Sequence, residues 1–280
     1  MSRSIFAESS GSHSGDILQL AKNGLDELMP YKVISRNDLR QGYYIIKKAT
    51  VDHNVTATFG DHSNEIGRSS IFFKEMAYKM HVFDTVQRIS LKDLMYGTTT
   101  EDEVKANLEL GLMKDAYHSV IFGKKNINME GIANLKGRSK VTVETLTNGF
   151  TLYEKVAHAK RESEKHKEKL DGTYHLLVPP PHNYSHLLLE LYSEPQYITV
   201  KEALFRDHRV VTSVFKGLKN PILYEPNEEV MFVPMLPEIF FRKFASADGD
   251  HIHASMESAG VIHFEPKEVV EIEVTKPSGG

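Results

Sequence analysis

The sequence predicts an α+β protein, in which long strands and a long helix come from separate stretches of the chain. The first observation is a segment of alternating apolar and polar residues within residues 42–90, interrupted by turn-forming residues. The second is a helical pattern that begins near Glu101 and ends near Gly123. The third is a series of short apolar runs in the second half of the chain, separated by proline and glycine.

The composition is that of an ordinary globular protein. The 280 residues are 40% hydrophobic and 26% charged, which is enough to bury a full core in one large or two smaller domains. A net charge of −4 provides no global basic field of the kind that marks a free-standing nucleic-acid binder. The absence of cysteine excludes disulfides and thiolate zinc sites and fits a reducing cytosol. No apolar run approaches the ~18 residues of a membrane span, so we expect a soluble, cytoplasmic protein.

The chain begins with a segment that predicts a loose arm. Residues 1–15 are rich in serine and glycine and have little to bury. Residues 16–28 then show helical spacing, which Pro30 ends. We expect this short helix to dock either on its own domain or on a neighbouring copy.

Residues 42–90 predict a hairpin with two long arms. A straight strand over residues 43–59 would extend roughly 50 Å, which a core of this size cannot cover. We therefore expect something outside the subunit to cover one face of the hairpin. The alternative is that the strands break within residues 60–70 and join a central sheet. The residues expected at the resulting subunit interface are Val51, Val55, Phe59, Gly60, His62, Asn64, Arg68, Met76, Tyr78 and Met80.

The helix that follows is the clearest single element in the sequence. Thr100 and Glu103 form the pattern of a capping box, and acidic residues at the start of the helix suit its positive end. After Gly123, residues 131–135 predict a glycine-led apolar turn that packs against another part of the chain. The expected buried stripe of the helix consists of Val104, Leu108, Leu112, Ala116 and Val120.

The second half predicts short strands and helices in alternation. Lys160 and Glu164 lie at pairing distance, so the charged end of one helix favours a solvated face over a nucleic-acid patch. Glu271 and Glu273 alternate on one face of an edge-like strand and are expected to meet water. The predicted helices are 150–170, 184–192 and 200–205, and the predicted strands are 140–143, 174–178, 210–215, 229–234, 239–241 and two within 251–274.

No common catalytic signature is present in the sequence. It contains no G-x-S-x-G, no P-loop, no H-E-x-x-H and no G-x-G-x-x-G. His251 and His253, two residues apart on a predicted strand, could bind zinc or iron together with Asp248. The competing interpretation is that Asp248 and Gly249 form a turn before the strand. We expect no catalytic residue, no cofactor and no metal, and a metal-dependent enzyme that uses His251 and His253 is the alternative.

The order of these parts resembles the major capsid protein family of tailed bacteriophages, with the Hong Kong 97-type capsid fold that encapsulin shells share. The segment IFGKKNINMEGIANL at 121–135 is similar to the part of the family that follows its long spine helix. The resemblance covers nearly the whole chain and rests on organisation and loose motifs. It implies an N-terminal arm at 1–41, an extended β-hairpin loop at 42–90, a peripheral domain with the spine helix at 91–130 and 242–280, and an axial domain at 131–241.

This resemblance implies self-association in place of catalysis. Copies would form pentamers and hexamers that tile an icosahedral shell around double-stranded DNA, without sequence-specific binding. In that family the extended hairpin lies across the neighbouring subunit, which would cover its open face. The alternative within the same fold is an encapsulin shell that encloses a cargo enzyme.

The resemblance also implies further partners and a location. About 40 residues precede the hairpin, fewer than a fused scaffolding segment needs, so we expect a separate scaffolding protein or an encapsulin. A portal and decoration proteins are further implied partners, and no membrane is involved. The implied location is the virion, after assembly in the host cytoplasm.

Overall fold

The computed structural model describes residues 30–51, 71–167, 170, 172–181, 183–192, 198–227, 230–236, 238–247 and 249–274. The α-helices are α1 (Leu91–Tyr96), α2 (Glu101–Phe122), α3 (Gly149–Glu164) and α4 (Val200–His208). The strands are β1 (Tyr31–Val33), β2 (Leu39–Arg40), β3 (Tyr43–Val51), β4 (Ile71–Lys79), β5 (His81–Ser90), β6 (Ser139–Val143), β7 (Tyr174–Val178), β8 (Leu191–Tyr192), β9 (Ile198–Thr199), β10 (Val210–Val214), β11 (Ile222–Tyr224), β12 (Met231–Met235), β13 (Phe240–Ser246), β14 (Gly249–Ser258), β15 (Ile262–His263) and β16 (Val270–Val274). Over the described ranges, no helix is both long and apolar enough to cross a membrane.

Helix α2 has the bounds that the sequence predicts. The Glu103 backbone N–H donates to Thr100 Oγ1 at 3.2 Å, and the Thr100 N–H donates to Glu103 Oε2 at 2.8 Å. These two bonds complete the capping box and satisfy backbone donors that have no partner within the helix. Gly123 ends the helix with a φ of 64°, a left-handed value that favours glycine. All five residues of the predicted apolar stripe are buried.

The buried side of α2 packs against a six-stranded sheet. Strands β1, β12, β14 and β13 lie in that order, while β5 also pairs with β14 and β15 pairs with β12. Side chains on one face of β5 and β14, including Phe83, Ile252 and Met256, enter the same core cluster as Leu108 and Leu112 of the helix. The helix therefore covers one face of this sheet and leaves the other face open.

A second layer is built from α3, α4 and a five-stranded sheet. Its strands lie in the order β10, β7, β11, β16 and β6, with parallel pairs at both edges of the sheet. Leu152 and Val156 of α3 and Leu204 of α4 pack with Leu176 and Leu223 of the sheet in a second core cluster. The buried stripe of α3 includes Leu152, Val156 and Ala159.

Strand pairing assigns two segments of the implied domains to sheets. Residues 270–274, which the resemblance places in the peripheral domain, form β16 inside the five-stranded sheet between β11 and β6. Residues 231–235, which it places in the axial domain, form β12 of the six-stranded sheet. Strand β16 is therefore no edge strand, because it pairs with β11 on one side and with β6 on the other.

The burial of Glu271 follows from this pairing of β16. It is only 8% exposed and does not meet water as expected. Arg138 Nη2 donates to Glu271 Oε2 at 2.6 Å, and Asn220 Nδ2 donates to Glu271 Oε1 at 2.9 Å. Burial alone would raise the pKa of this carboxyl, but the bonds from Asn220 and Arg138 hold its pKa below the ordinary value. Glu273, in contrast, forms a more exposed ion pair with Lys140.

The hairpin segment divides between two sheets. Strands β3 and β4 pair with each other over nine residue pairs, and β2 pairs with β3 at the base. Strand β5, which the sequence analysis placed in the same hairpin loop, instead pairs along its whole length with β14. In the described part of the segment, β3 and β4 therefore do not join a central sheet, and residues 81–90 do.

The glycine-led turn after α2 is packed as expected. The Gly131 N–H donates to Asn134 Oδ1 at 2.6 Å, and residues Ile132–Asn134 form a 3₁₀ turn. Gly123 and Gly131 approach each other so closely that a Cβ on Gly131 would lie 2.3 Å from the Gly123 nitrogen. Both positions therefore require glycine.

Several predicted bounds differ from those observed. Helix α3 ends at Glu164, before the expected residue 170, and Lys167 after it turns to pair with Glu225. The helix expected at 184–192 is a 3₁₀ turn over Ser185–Leu189 followed by β8. Helix α4 continues to His208, three residues beyond the predicted end. Lys160 and Glu164 form the expected ion pair, with 3.6 Å between Nζ and Oε1.

Candidate subunit interface

The base of the hairpin is anchored inside the chain's own fold. Tyr44 and Met80 are buried in a third core cluster together with Phe232 and Ile262 of the six-stranded sheet. Tyr78 is partly buried against the same cluster. Met80, expected at the interface, is only 8% exposed and packs internally. These contacts therefore fix the base of the described ribbon to the body.

Further along, the ribbon of β3 and β4 has less support from the body. Its register pairs Tyr44 with Tyr78 at the base, Ile46 with Met76 in the middle and Val51 with Ile71 at the last described pair. Lys47 and Glu75 form a solvent-exposed ion pair of 3.3 Å across the two strands. Among the described strands, β4 pairs only with β3. The outer edge of the ribbon is therefore open within the described structure.

The remaining predicted interface residues belong to the far end of the hairpin. They lie outside the described residues: Val55, Phe59, Gly60, His62, Asn64 and Arg68. Their interface role stays a prediction.

A cleft separates the hairpin base from the turn after α2. It has a volume of about 360 Å³ and is lined by Tyr78, His81, Asn128 and Glu130, among others. Burial, followed by the charge of Glu130, raises the pKa of Tyr78. Burial, followed by the charge of Lys79, lowers the pKa of His81. One side of the hairpin base therefore borders this cleft.

A second exposed surface lies on the other layer and was not predicted. Three adjoining elements, namely the start of α3, the segment from the 3₁₀ turn into β8, and α4, display large apolar side chains. The Tyr192 ring of β8 stacks on Phe150, with 6.2 Å between ring centroids, and packs at a tilt against Tyr153, with 4.7 Å between centroids. The exposed residues of this α3–α4 apolar surface are Phe150 (54%), Leu189 (72%), Leu191 (65%) and Phe205 (60%).

The run of leucines at 187–191 was the available signal for this surface. Leu187 and Leu188 are buried, whereas Leu189 and Leu191 point outward. A single short turn cannot bury so many leucines against one neighbour, so some must face outward. Helical spacing could not say which ones, because the segment is a 3₁₀ turn followed by a strand.

The open face of the six-stranded sheet carries the two metal-candidate histidines. His251 Nε2 lies 3.1 Å from Ser246 Oγ, and its ring stacks on Phe244. His253 Nε2 lies 3.5 Å from Asp84 Oδ2 on β5. Asp248 lies outside the described residues. No group of three or more possible metal ligands occurs in the described ranges, and both histidines make contacts within the sheet.

Two comparisons of the sequence itself find no match. No protein-family model matches it, and no curated protein matches it significantly. Comparison of the fold with solved structures gives a different result.

Solved capsid structures match nearly the entire chain. The capsid of Myoviridae phage XM1 matches with a TM-score of 0.69 and 13% identity, over 98% of this chain and 96% of that one. A virus-like particle from Pyrococcus furiosus matches with a TM-score of 0.64 and 16% identity, over 92% and 96%. The capsid of an empty GTA particle matches with a TM-score of 0.60 and 7% identity, over 98% and 94%. The chain therefore has the Hong Kong 97-type capsid fold.

Proposed function

We propose that this chain is a structural protein whose copies assemble into an icosahedral capsid shell that encloses a phage genome. The observation that carries the proposal is the ribbon of β3 and β4, which leaves the body and pairs with neither large sheet. The capsid fold, shared over nearly the full length with assembled shells, supports the same role. The role is geometric, because shape and many modest contacts hold such a shell together.

The ribbon requires a partner for a physical reason. A two-stranded ribbon is marginal in water unless a third strand or a packed face supports it. Here β2 and the core cluster around Tyr44 and Met80 support the base, and Ile46 packs against the same cluster. The proposed cover for the rest is a neighbouring copy. Val51, Met76 and the tip residues beyond β3 would then contact that neighbour.

The α3–α4 apolar surface supports a second contact between copies. Large exposed apolar patches on soluble proteins mark interaction sites. When one surface of a copy meets a different surface of the next, repetition closes a ring if the rotation between copies allows it. We place this surface at the axis of such a ring, which would be a pentamer or a hexamer.

Helix α2 links these two contacts. It lies under the six-stranded sheet, and its last residues join the glycine-led turn that leads to the five-stranded sheet. The proposed peripheral part is then α2 with the six-stranded sheet, and the proposed axial part is α3 and α4 with the five-stranded sheet. A rigid helix between them would hold the two contacts at a fixed angle.

The remaining features of the proposal follow from the shell role. The shell would enclose double-stranded DNA without reading its sequence, and it would be a virion component assembled in the host cytoplasm. A separate scaffolding protein, a portal and decoration proteins would complete the particle.

Deletion of residues 60–68 tests the intersubunit role of the hairpin. We expect the variant to keep the circular dichroism and the melting temperature of the wild type but to form no particles, because the contacts proposed for the tip are with neighbouring copies only. Particle formation is measured by sedimentation velocity and negative-stain microscopy.

Replacement of the same residues by a glycine-serine segment of equal length is the matched control. It keeps the length of the hairpin and removes the side chains of its tip, so it separates the effect of hairpin length from the effect of side-chain contacts. Normal particles from the deletion variant would refute the intersubunit role of the tip.

A further inference from the structure

The chain crosses from one sheet to the other through a short turn with an unusual set of charged groups. Strand β15 belongs to the six-stranded sheet and β16 to the five-stranded sheet. Residues Pro266–Glu268 form a 3₁₀ turn between them. His263 lies at the start of this crossing. At its end, the Ser163 hydroxyl of α3 donates to the Glu268 carbonyl oxygen at 2.6 Å.

His263 holds the start of the crossing through a bond that requires a neutral ring. The Glu265 backbone N–H donates to His263 Nδ1 at 3.1 Å. A nitrogen that accepts this bond carries no proton, so the proton of the neutral ring lies on Nε2. A protonated imidazole could not accept the bond, because both of its nitrogens would be donors.

The surroundings of His263 disfavour a positive charge. Lys167 is the nearby cation, and its ammonium donates to Glu225 Oε2, with side-chain exposures of only 6% and 13% for the pair. Lys167 Nζ also lies 4.0 Å from the centroid of the Tyr174 ring. These contacts hold the ammonium in place, so it cannot move away from a second positive charge. Burial first, and Lys167 second, lower the pKa of His263 to about 4.

The other elements around this crossing add carboxylates, and two further lysines lie nearby. Lys267 belongs to the turn itself, and Lys160 Nζ lies 5.3 Å from the centroid of the Tyr174 ring. Glu225 comes from the end of β11, and Glu265 and Glu268 come from the crossing itself. Strand β12 presents an apolar residue, Met231, as the strand partner of His263. Burial raises the pKa of Glu268, the charge of Lys167 opposes this shift, and Glu225 and Glu265 add to it.

We propose that His263 is an acid-sensitive latch, which holds the crossing between the two sheets while its ring is neutral and releases it when its ring is protonated. The latch lies within a single chain. It goes beyond the proposed shell function and does not depend on it.

The direction of the pH effect follows from the linkage between protonation and folding. Because the folded state binds the His263 proton more weakly than the unfolded state does, the stabilisation is complete above about pH 6.5. It is lost as the pH falls from about 6.5 to about 4, with the unfolding constant rising up to about tenfold per pH unit. Glu268 acts in the opposite sense, because its protonation removes a poorly solvated charge. A test must therefore separate the contribution of His263 to the pH dependence of stability from that of Glu268.

The variant His263→Asn isolates it. The asparagine Oδ1 can accept the Glu265 N–H in the place of Nδ1 but does not titrate in this range. We measure the equilibrium unfolding of the full chain between pH 7.5 and 4. We expect the unfolding constant of the variant to rise less steeply than that of the wild type as the pH falls, by a factor of up to about ten per pH unit. His158→Asn, at an exposed position on α3, is the matched control and should keep the wild-type slope.

A second measurement keeps the proposal testable if His263→Asn fails to fold. Hydrogen–deuterium exchange at the imidazole C2 position of the wild type, followed by mass spectrometry, reports the pKa of each histidine. We expect His263 to titrate well below the ordinary value of 6.5. A measured pKa at or above 6.5, or a wild-type pH slope in His263→Asn, would overturn the latch.

Discussion

At the scale of single residues, Gly123 and Gly131 determine how the chain leaves the long helix. A Cβ on Gly123 would lie 2.2 Å from the Met129 carbonyl oxygen, and the Gly123 backbone is left-handed. The sequence identifies Gly123 as the end of a helix, since glycine commonly occupies that position. It could not reveal the close approach of Gly131, because that contact exists only after the turn has folded back.

Substitution of these glycines has a predictable cost. We expect Gly123→Ala to lower the free energy of unfolding by on the order of 3 kcal/mol, because a methyl group there both strains the backbone and meets a backbone oxygen. Chemical denaturation measures the change.

Gly111→Ala is the matched control for this substitution. Gly111 lies on the exposed side of α2 with nothing within 4 Å of an added Cβ, so alanine should stabilise the helix by up to about 1 kcal/mol. Equal effects of the two substitutions would contradict this account of the turn.

Glu271 shows where residue-level reasoning fails for a physical reason. Alternation along a strand predicts which residues share a face, but not whether that face is covered. Glu271 and Glu273 share a face, but Arg138 and Asn220 donate hydrogen bonds to Glu271 and cover that side chain only. The arginine comes from a segment more than 130 residues earlier in the chain. No local pattern contains that information.

At the scale of elements, α2 is the part that the sequence predicts best. Its cap, its length and its buried stripe are all local properties, so they can be recognised without knowledge of the fold. The hairpin was predicted less completely. Alternation continues without a break through Met80 and Val82, and periodicity cannot show that the chain changes from one sheet to another at that point.

The two faces of α2 provide a test of its role as internal packing. We expect Leu112→Ala to lower the free energy of unfolding by about 2–5 kcal/mol, because Leu112 is buried against the six-stranded sheet and its loss leaves a cavity. Leu110→Ala, on the same helix but 46% exposed, should change stability by about 0.5 kcal/mol or less. Thermal or chemical unfolding of both variants measures the difference, and a comparable loss from Leu110→Ala would argue against a solvent-facing side.

At the scale of the whole molecule, the order of parts predicts the fold although no family model and no curated protein matches the sequence. The loose motifs and the succession of arm, hairpin, long helix and mixed second half were enough to predict the capsid fold, and the solved capsids confirm it. The division into domains stays a prediction, because the sheet that β12 or β16 joins is decided by long-range contacts that no local pattern contains.

The α3–α4 apolar surface was missed for a related reason. Its residues come from three elements, and their exposure depends on how those elements pack. Leu189 and Phe205 look like ordinary core residues in the sequence. Only the folded chain shows that both remain open to solvent.

The central claim is that copies of this chain assemble into a closed shell, and sedimentation velocity of the purified wild-type protein, with electron microscopy of the same sample, tests it most directly. We expect a discrete species of megadalton size that appears as closed particles of uniform diameter. A single monomeric or dimeric species at every protein concentration and salt condition, with no particles on the grid, would contradict the claim.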